Sequence, residues 1–485
     1  MKSNLNEKQK KAVNLGLGPA LILAGPGSGK TTVILERIKH LIFECNISPG
    51  QILVITYTRA AAKEMKDRAA NLLNNLSETP VFATFHSYFY SVLKRSYEYR
   101  SFSISTEKQK LKNLERLLKS HYPTFPTSKN FMRDVLSCIS KYKNDIAIQK
   151  ELERLGFQET VFFNLCKNYD YFNREQKLMD YDDILLFSHK LFLENPEILT
   201  ILQKEIGYIL IDEFQDVNKI QYDLVCLLAG KRANLFVVGD DDQSIYKFRG
   251  AGEENLQRFE QDFPSGNMVT LDINYRCPKE IVVLSKRLIE HNESRFFKEL
   301  CSAKKEDGNI ICKCFEKKEM ERAYIVETIK ERLKGTEKMA LLCRTNSQLS
   351  YFSELLKKEK IPFYKREKTI QFYEIPWVKT VIGYLLFASG IDRSRKILFT
   401  FLNEPLRYIK REWFIGWDLG KKELKDIIVP SAYDKGTLKE LEKSLKIIGK
   451  LPPQMAVSYI LKVIGYETYL VEKCKTKEEL DWYYC

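Results

Sequence analysis

The chain has 485 residues, with 78 Lys and Arg against 64 Asp and Glu, for a net charge of +14 at neutral pH. At roughly 150 residues per domain the length predicts about three domains. The composition, 44% hydrophobic and 29% charged, is that of a globular chain and excludes a disordered or fibrous one. The basic excess fits a polyanionic partner such as nucleic acid, and the longest apolar stretches, such as residues 380–390, are too short to span a bilayer.

The leading residues 1–13 are polar and lysine-rich with no apolar core, so no secretory signal is read. Eleven scattered cysteines include no CxxC pair and no cysteine–histidine cluster of zinc spacing, and the five histidines make no metal pattern. Free thiols in a reducing cytoplasm are the expectation.

In chain order, Leu21-Ile22-Leu23 and the runs 52–55, 208–211 and 235–238 are short, apolar and followed by turn or polar residues. Runs of this kind, separated by helical patterns, predict a parallel sheet covered on both faces. Residues 88–205 carry helical periodicity with many Tyr, Phe and Lys, and predict a helical domain inserted into the sheet domain. Residues 340–343 predict a further buried strand and so a second α/β domain, and from about residue 376 the pattern is helical again.

The first run leads into Ala24-Gly25-Pro26-Gly27-Ser28-Gly29-Lys30-Thr31 and then a helical pattern. This is a phosphate-binding loop of the GxxxxGK[ST] kind, with Ala24 at the first glycine position. Its glycines let consecutive N–H groups turn toward phosphates, and the following helix adds its positive end. Lys30 would reach the β- and γ-phosphates of ATP, and the Thr31 hydroxyl would ligate Mg²⁺. The third run delivers Asp212 and Glu213 at its C-terminal end. Asp212 would hold the Mg²⁺, and Glu213 would orient and deprotonate a water. Kinases and GTPases can supply both features, so to this point the residues define a nucleotide hydrolase and no more.

The residues beyond Asp212 are more specific. Asp212-Glu213-Phe214-Gln215-Asp216 and the stretch from Gly239-Asp240-Asp241-Asp242-Gln243-Ser244-Ile245-Tyr246 to Lys247-Phe248-Arg249-Gly250-Ala251 resemble the DEFQD and GDxDQSIYxWRGA motifs of the UvrD/Rep-like (PcrA-like) superfamily-one DNA helicases. Further matches keep the family's order: Leu5-Asn6-Glu7-Lys8-Gln9, Thr56-Tyr57-Thr58-Arg59-Ala60, Thr84-Phe85-His86-Ser87, Asp180-Tyr181-Asp182-Asp183, Asn274-Tyr275-Arg276 and Leu342-Cys343-Arg344-Thr345-Asn346.

The resemblance implies an α/β fold of RecA-like P-loop motor domains with helical inserts, and ATP-driven 3′-to-5′ DNA unwinding in repair or replication. The expected division is 1–87 with 206–272 for the first motor domain and 88–205 for its insert. Residues 273–375 would be a partial second motor domain and 376–485 its truncated insert. Gln9 would bond the adenine and Tyr275 stack on it, within a nucleotide site running from Ala24 to Thr32. Gln243 would sense the γ-phosphate, and Arg276 would act as an arginine finger. Single-stranded DNA and DNA junctions are the implied partners, with Tyr57, Thr58, Phe85, His86, Tyr246, Phe248 and Arg249 as contacts, stacking on bases being tolerant of sequence.

Some residues depart from the family. Thr32 stands where Arg is usual, Ala60 where Lys is usual and Phe248 where Trp is usual. Two C-terminal motifs, one bearing a second arginine, do not occur before Cys485. The alternative expectation is therefore an ATP- and DNA-binding fragment, or half of a split gene completed by a downstream polypeptide. In the first insert, Lys141-Tyr142-Lys143-Asn144 and Lys167-Asn168-Tyr169 are read as solvated helix faces before DNA contacts. Asp182 and Asp183 are read as helix N-terminal residues before metal ligands.

Overall fold

The computed structural model describes residues 5–473 except 74–75, 77, 128, 245–254, 293–294, 334, 336–337, 366–374, 415–423, 425–426 and 430. The chain divides into two units, residues 1–311 and 312–485.

The first unit begins with α1 (Glu7–Val13), β1 (Ala20–Ala24), α2 (Lys30–Phe43), β2 (Ile52–Thr56), α3 (Arg59–Leu72), β3 (Val81–Thr84) and α4 (Phe85–Arg95). Then come β4 (Ser103–Ile104), α5 (Glu107–His121), α6 (Lys129–Lys143), α7 (Gln149–Leu155), α8 (Glu159–Glu175), β5 (Leu178–Met179), α9 (Tyr181–Glu194) and α10 (Pro196–Glu205). It closes with β6 (Tyr208–Ile211), α11 (Lys219–Ala229), β7 (Leu235–Gly239), α12 (Asn255–Asp262), β8 (Asn267–Leu271), β9 (Ile273–Asn274), α13 (Lys279–Ile289) and β10 (Cys301–Ser302).

The four apolar runs form the centre of a six-stranded sheet in the order β3-β2-β6-β7-β1-β8, with every pairing parallel. Strands this apolar must be covered on both sides, and alternation divides them between two cores. Leu21, Leu23, Leu53, Ile55, Ile209, Ile211, Leu235 and Val237 face the side packed by α4, α9, α11 and α12. Ile22, Ile52, Val54, Leu210, Phe236 and Val238 face α2 and α3.

Helices α5–α8 have a core of their own, built on Leu114, Leu118, Val135, Phe162 and Tyr169. The short parallel pair β4–β5 brackets it. The separate helical core is therefore narrower than the 88–205 expected, because the apolar faces of α4 and α9 pack on the sheet.

In the two lysine-rich stretches of this insert Tyr142, Lys167 and Asn168 are exposed as read, whereas Lys143 and Tyr169 correct the reading. Lys143 is not on a solvated face: its side chain is 3% exposed and contacts Asp170 at 2.7 Å and Asp183. Burial alone would lower the pKa of Lys143, but Asp183 and Asp170 outweigh it and hold the ammonium charged. Tyr169 is fully buried. Asp183 does serve the N-terminus of α9, completing a capping box with Asp180, and it is also the partner of Lys143. Asn144 joins Asp182 at 2.8 Å to Asn218, the N-cap of α11, at 2.9 Å.

The second unit carries α14 (Lys318–Arg332), α15 (Asn346–Lys358), α16 (Pro376–Ala388), α17 (Arg395–Phe401), α18 (Ala432–Ile448), α19 (Pro453–Ser458) and α20 (Tyr466–Lys473). Tyr384, Leu398, Phe401, Leu441, Ile460 and Tyr466 centre its main core. Among its described residues there is no strand. The strand expected at 340–343 is not formed, and Leu342 is 91% exposed. An apolar run needs paired neighbours to stand as a strand, and the described residues of this unit offer it none. No helix of the described residues is long and apolar enough to cross a membrane. All nine described cysteines are free thiols.

Replacing Lys143 by Met strands two carboxylates inside the insert and is expected to cost about 3–5 kcal/mol of stability. Replacing Lys141, whose pair with Glu151 is about one-third exposed, is expected to cost about 1 kcal/mol or less. Urea unfolding of both variants checks this; equal midpoints would contradict the buried-pair description.

Candidate active site

Because all six strands run the same way, their C-terminal ends open on one edge, where ligands bind in open α/β sheets. Along that edge β1 delivers the loop 25–29, β6 delivers Asp212 and Glu213, β7 delivers Asp240 and Gln243, and β8 leads to Asn274, Tyr275 and Arg276. β2 and β3, at the far end, deliver Tyr57 with Thr58 and Phe85 with His86. Strands lie about 4.8 Å apart, so β1 and β2, separated by β7 and β6, stand about 14 Å apart.

The loop is fixed from several sides. The Ser28 hydroxyl donates to the Gly25 carbonyl at 2.7 Å, and the Gln9 amide donates to the Ser28 carbonyl at 2.9 Å. Gln9 is held in turn by a capping box with Asn6 at the start of α1. Gly27 has φ 67°, and a Cβ there would stand 2.7 Å from Asn274 Oδ1 and 2.8 Å from Arg276 Cβ. Only glycine admits both that backbone and that approach. The loop thus forms an open cradle of backbone, with the Tyr275 N–H donating to the Gly27 carbonyl at 2.9 Å. The Tyr275 hydroxyl accepts from Asn6 at 2.7 Å while 42% of the residue is exposed. Arg276 is exposed, and its backbone N–H is held by Asn274 Oδ1 at 2.8 Å.

Lys30, in the first turn of α2, points into the cradle and pairs with Glu213 at 3.1 Å. Thr31 and Thr32 share that first turn and are half-buried, while Ala24 ends β1 in the core and Pro26 is half-buried in the loop. Glu213 has φ 52°, a left-handed conformation that a non-glycine residue adopts at a cost and that is concentrated at functional sites. Asp212 is buried, and its pKa is pushed up to about 7 by desolvation and then by the charge of Glu213, against the pull of Lys30. The same causes raise Asp216 to about 6. A buried carboxylate that ionises this reluctantly beside a second carboxylate, facing a cradle of N–H groups and a lysine, suits a divalent cation and a polyphosphate. Mg²⁺ would offset the desolvation and the Glu213 repulsion that raise the pKa of Asp212, so the residues fit the pair of ligands expected from the sequence.

The other sequence candidates divide. Gln243 donates to Asp240 at 2.5 Å, beside the nucleotide groups. Thr58 N-caps α3 and is exposed, and Tyr57 beside it is half-buried. His86 is half-buried edge-on to Tyr181, 6.0 Å between centroids, and burial lowers its pKa despite Asp182, so it is neutral at pH 7. Phe85 is 4% exposed within the sheet core and is not a stacking platform. Burying a Phe is worth about 1.5–3 kcal/mol and stacking a base about 1–3, so swinging the ring out would lose as much as it gains. Tyr246, Phe248 and Arg249 lie outside the described residues. Sequence reasoning gives no role to Asn6, Asn274, Gln215, Asp240, Arg295 or Lys298. The first four lie inside recognised motifs, whereas Arg295 and Lys298 carry no sequence signal.

The parallel sheet, the glycine loop with its lysine and the paired carboxylates define a P-loop nucleotide hydrolase, with half-buried Tyr57 and His86 and exposed Thr58 further along the same edge. Residues 5–264 match the UvrD/REP helicase N-terminal domain, and residues 269–414 match the UvrD-like helicase C-terminal domain. The chain belongs to the UvrD/Rep helicase family. It is 32% identical over 502 residues to the ATP-dependent DNA helicase Rep of Buchnera aphidicola subsp. Baizongia pistaciae, covering 97% of this chain and 73% of that protein. It is 36% identical over 392 residues to the ATP-dependent DNA helicase PcrA of Staphylococcus epidermidis, covering 79% of this chain and 53% of that one. With PcrA of Bacillus subtilis the identity is 34% over 417 residues, covering 84% and 56%. The chain thus spans between about half and three-quarters of the length of these relatives.

The raised pKa of Asp212 gives a signed prediction. Its folded pKa of about 7 lies above the ordinary value of 3.8, so the cost of the buried carboxylate is full above pH 7, shrinks progressively as the pH falls from 7 toward 3.8, and is gone below 3.8, where both states are protonated. Asp212→Asn is therefore expected to stabilise the ligand-free chain by on the order of 2 kcal/mol at pH 8, and by much less at pH 5. Thermal unfolding at the two pH values measures it. A gain that is equal at both, or larger at pH 5, would contradict the buried-carboxylate account.

Proposed function

We propose that the chain is an ATP-driven motor that moves 3′-to-5′ along single-stranded DNA and opens duplexes in repair or replication. The observation that carries this reading is the Lys30–Glu213 pair, 3.1 Å long, at the mouth of the glycine loop. It joins a phosphate-binding cation to a carboxylate beside the buried Asp212, on an edge whose far end presents Tyr57, Thr58 and His86. The names of the relatives, ATP-dependent DNA helicases, support the same nucleotide and the same substrate.

In this reading the nucleotide would supply the phosphoryl group, and Mg²⁺ would supply positive charge against its phosphates. Lys30 would leave Glu213 for the β- and γ-phosphates, and the hydroxyl of Thr31 and the carboxylate of Asp212 would hold the metal. Glu213, freed of its cation, accepts a proton from the attacking water. Arg276, already against Gly27, has the reach to meet charge developing on the transferred group. Tyr275 offers an open ring face to the base, and Gln9 retains one N–H and an oxygen lone pair for its edge. The residues Ala24, Gly25, Pro26, Gly27, Ser28, Gly29 and Thr32 line the nucleotide, and Gln243 reports the γ-phosphate to the DNA side. Tyr57, Thr58 and His86, with Tyr246, Phe248 and Arg249, touch the strand. A partial second motor domain over 273–375, its truncated insert over 376–485, the insert 88–205 on the first motor domain and a cytoplasmic location complete the reading. Nothing among the described residues calls for a second polypeptide.

The test is steady-state ATP hydrolysis by the 485-residue chain, with and without an oligonucleotide. Single-stranded DNA is expected to stimulate turnover, and its affinity is expected to fall steeply with salt as phosphate contacts release counterions. Lys30→Ala is expected to lower turnover by about 10²–10³, as losing a preorganised cation does. Hydrolysis indifferent both to DNA and to Lys30→Ala would contradict the proposal.

A further inference from the structure

We propose that Gln215 is a positioning residue that ties the hydrolytic carboxylate Glu213 to the loop bearing Gln243, and so sets how strongly DNA stimulates hydrolysis. The proposal rests on the nucleotide-motor reading above. Gln215 is 3% exposed and spends both ends of its amide. Its Nε2 donates to Glu213 Oε2 at 2.8 Å, and its Oε1 accepts from the Asp240 backbone N–H at 2.9 Å. The orientation of the amide is fixed by its partners, since the carboxylate only accepts and the N–H only donates. Gly239 makes room for it: a Cβ there would lie 3.0 Å from Gln215 Oε1 and 3.3 Å from its backbone nitrogen.

Beyond Gln215 the path has an anchored end. Asp240 is wholly buried, and its Oδ2 accepts from the Gln243 amide at 2.5 Å. Its Oδ1 accepts from Lys298, whose side chain is 0% exposed and also contacts Asp241 and, at 3.0 Å, Asp242. Arg295 closes on Asp242 with bonds of 3.0 and 2.8 Å, and the Phe296 N–H donates to Asp241 at 2.7 Å. The carboxylates of Asp240, Asp241 and Asp242 cluster closely enough to hold a cation. The Lys298 ammonium and the Arg295 guanidinium already sit on them, offsetting two of the three charges, so they serve as a clamp. Residues 240–242 are thereby fixed, and the Gln215 side chain joins Glu213 to them.

The chemistry makes that side chain responsive. Without nucleotide, Glu213 Oε2 is shared between Lys30 at 3.1 Å and Gln215 at 2.8 Å. When Lys30 turns to a phosphate, Gln215 becomes the remaining donor to that oxygen, and the demand on it rises because hydrogen bonds to ionised acceptors are the strong ones. The linkage runs Glu213–Gln215–Asp240–Gln243, every step within hydrogen-bond distance.

A chain of contacts becomes a coupling path only when the coupling is measured. The readout is the ratio of kcat with saturating single-stranded DNA to kcat without it, for the 485-residue chain. Gln215→Met keeps the volume and removes both hydrogen bonds. It is expected to lower the ratio about tenfold while ATP affinity changes by less than about threefold, and combining it with Gln243→Ala is expected to lower the ratio no further than Gln243→Ala alone. Gly239→Ala, which displaces Oε1 without deleting it, is expected to fall between parent and Gln215→Met. It serves as the probe should Gln215→Met not fold. A parental ratio in a folded Gln215→Met variant, or fully additive losses in the double variant, overturns the proposal. A parent that shows no stimulation by DNA overturns the motor reading and this proposal with it.

Discussion

A lysine and a glutamate 183 residues apart meet at 3.1 Å because β1 and β6 run in the same direction in one sheet. Everything proposed for the molecule depends on that parallel register. It places the glycine loop, Asp240 and Asp212 along one edge, at the ends of β1, β7 and β6, with Asn274 following β8 on the other side of β1. The apolar strands that impose it are buried on both faces. Displacing one of these strands along its neighbours would separate groups that now lie within hydrogen-bond reach. Stability of the sheet and geometry of the site are therefore one constraint, and the core residues of β1, β6 and β7 serve the chemistry without touching it.

Buried charge is used in two distinct ways. Lys143 and Lys298 are each sunk among carboxylates that keep them ionised against desolvation, and each fastens a loop or insert to the motor core. Removing a partner from such a pair costs far more than the pair contributes net, so these are rigid points. Asp212 is the opposite case. Its burial is only partly offset by Lys30, and its ionised form is held at a cost that a divalent ion would relieve. The molecule is stiff around the site and strained at it, with Glu213 in a left-handed conformation as the backbone counterpart of the strained carboxylate.

Much of the sheet and of the nucleotide site is legible in the sequence, for a physical reason. A strand buried on both faces has to be a short continuous apolar run, and a backbone cradle has to be glycine, so 21–23, 208–211 and Gly27 declare themselves. Side chains whose value depends on distant partners do not. Lys143 reads as a solvated helix residue because Asp170 and Asp183 are remote in sequence, and Lys298 sits in a stretch with no motif. Phe85 misleads for a related reason: a position between half-buried Thr84 and His86 looks like a platform, but the first turn of α4 rotates its ring into the core. The run at 340–343 shows the limit of composition alone, since four apolar residues make a strand only where neighbours pair with them.

The central claim is that Glu213 performs chemistry at a site that Lys30 and Asp212 organise around a nucleotide. Single-turnover hydrolysis of radiolabelled ATP by Glu213→Gln, with saturating single-stranded DNA, tests it most directly. The account predicts that ATP still binds within about tenfold of the parent affinity while hydrolysis slows by about 10²–10⁴, the usual worth of a positioned general base. Hydrolysis at the parental rate, with ATP bound as tightly, would contradict it.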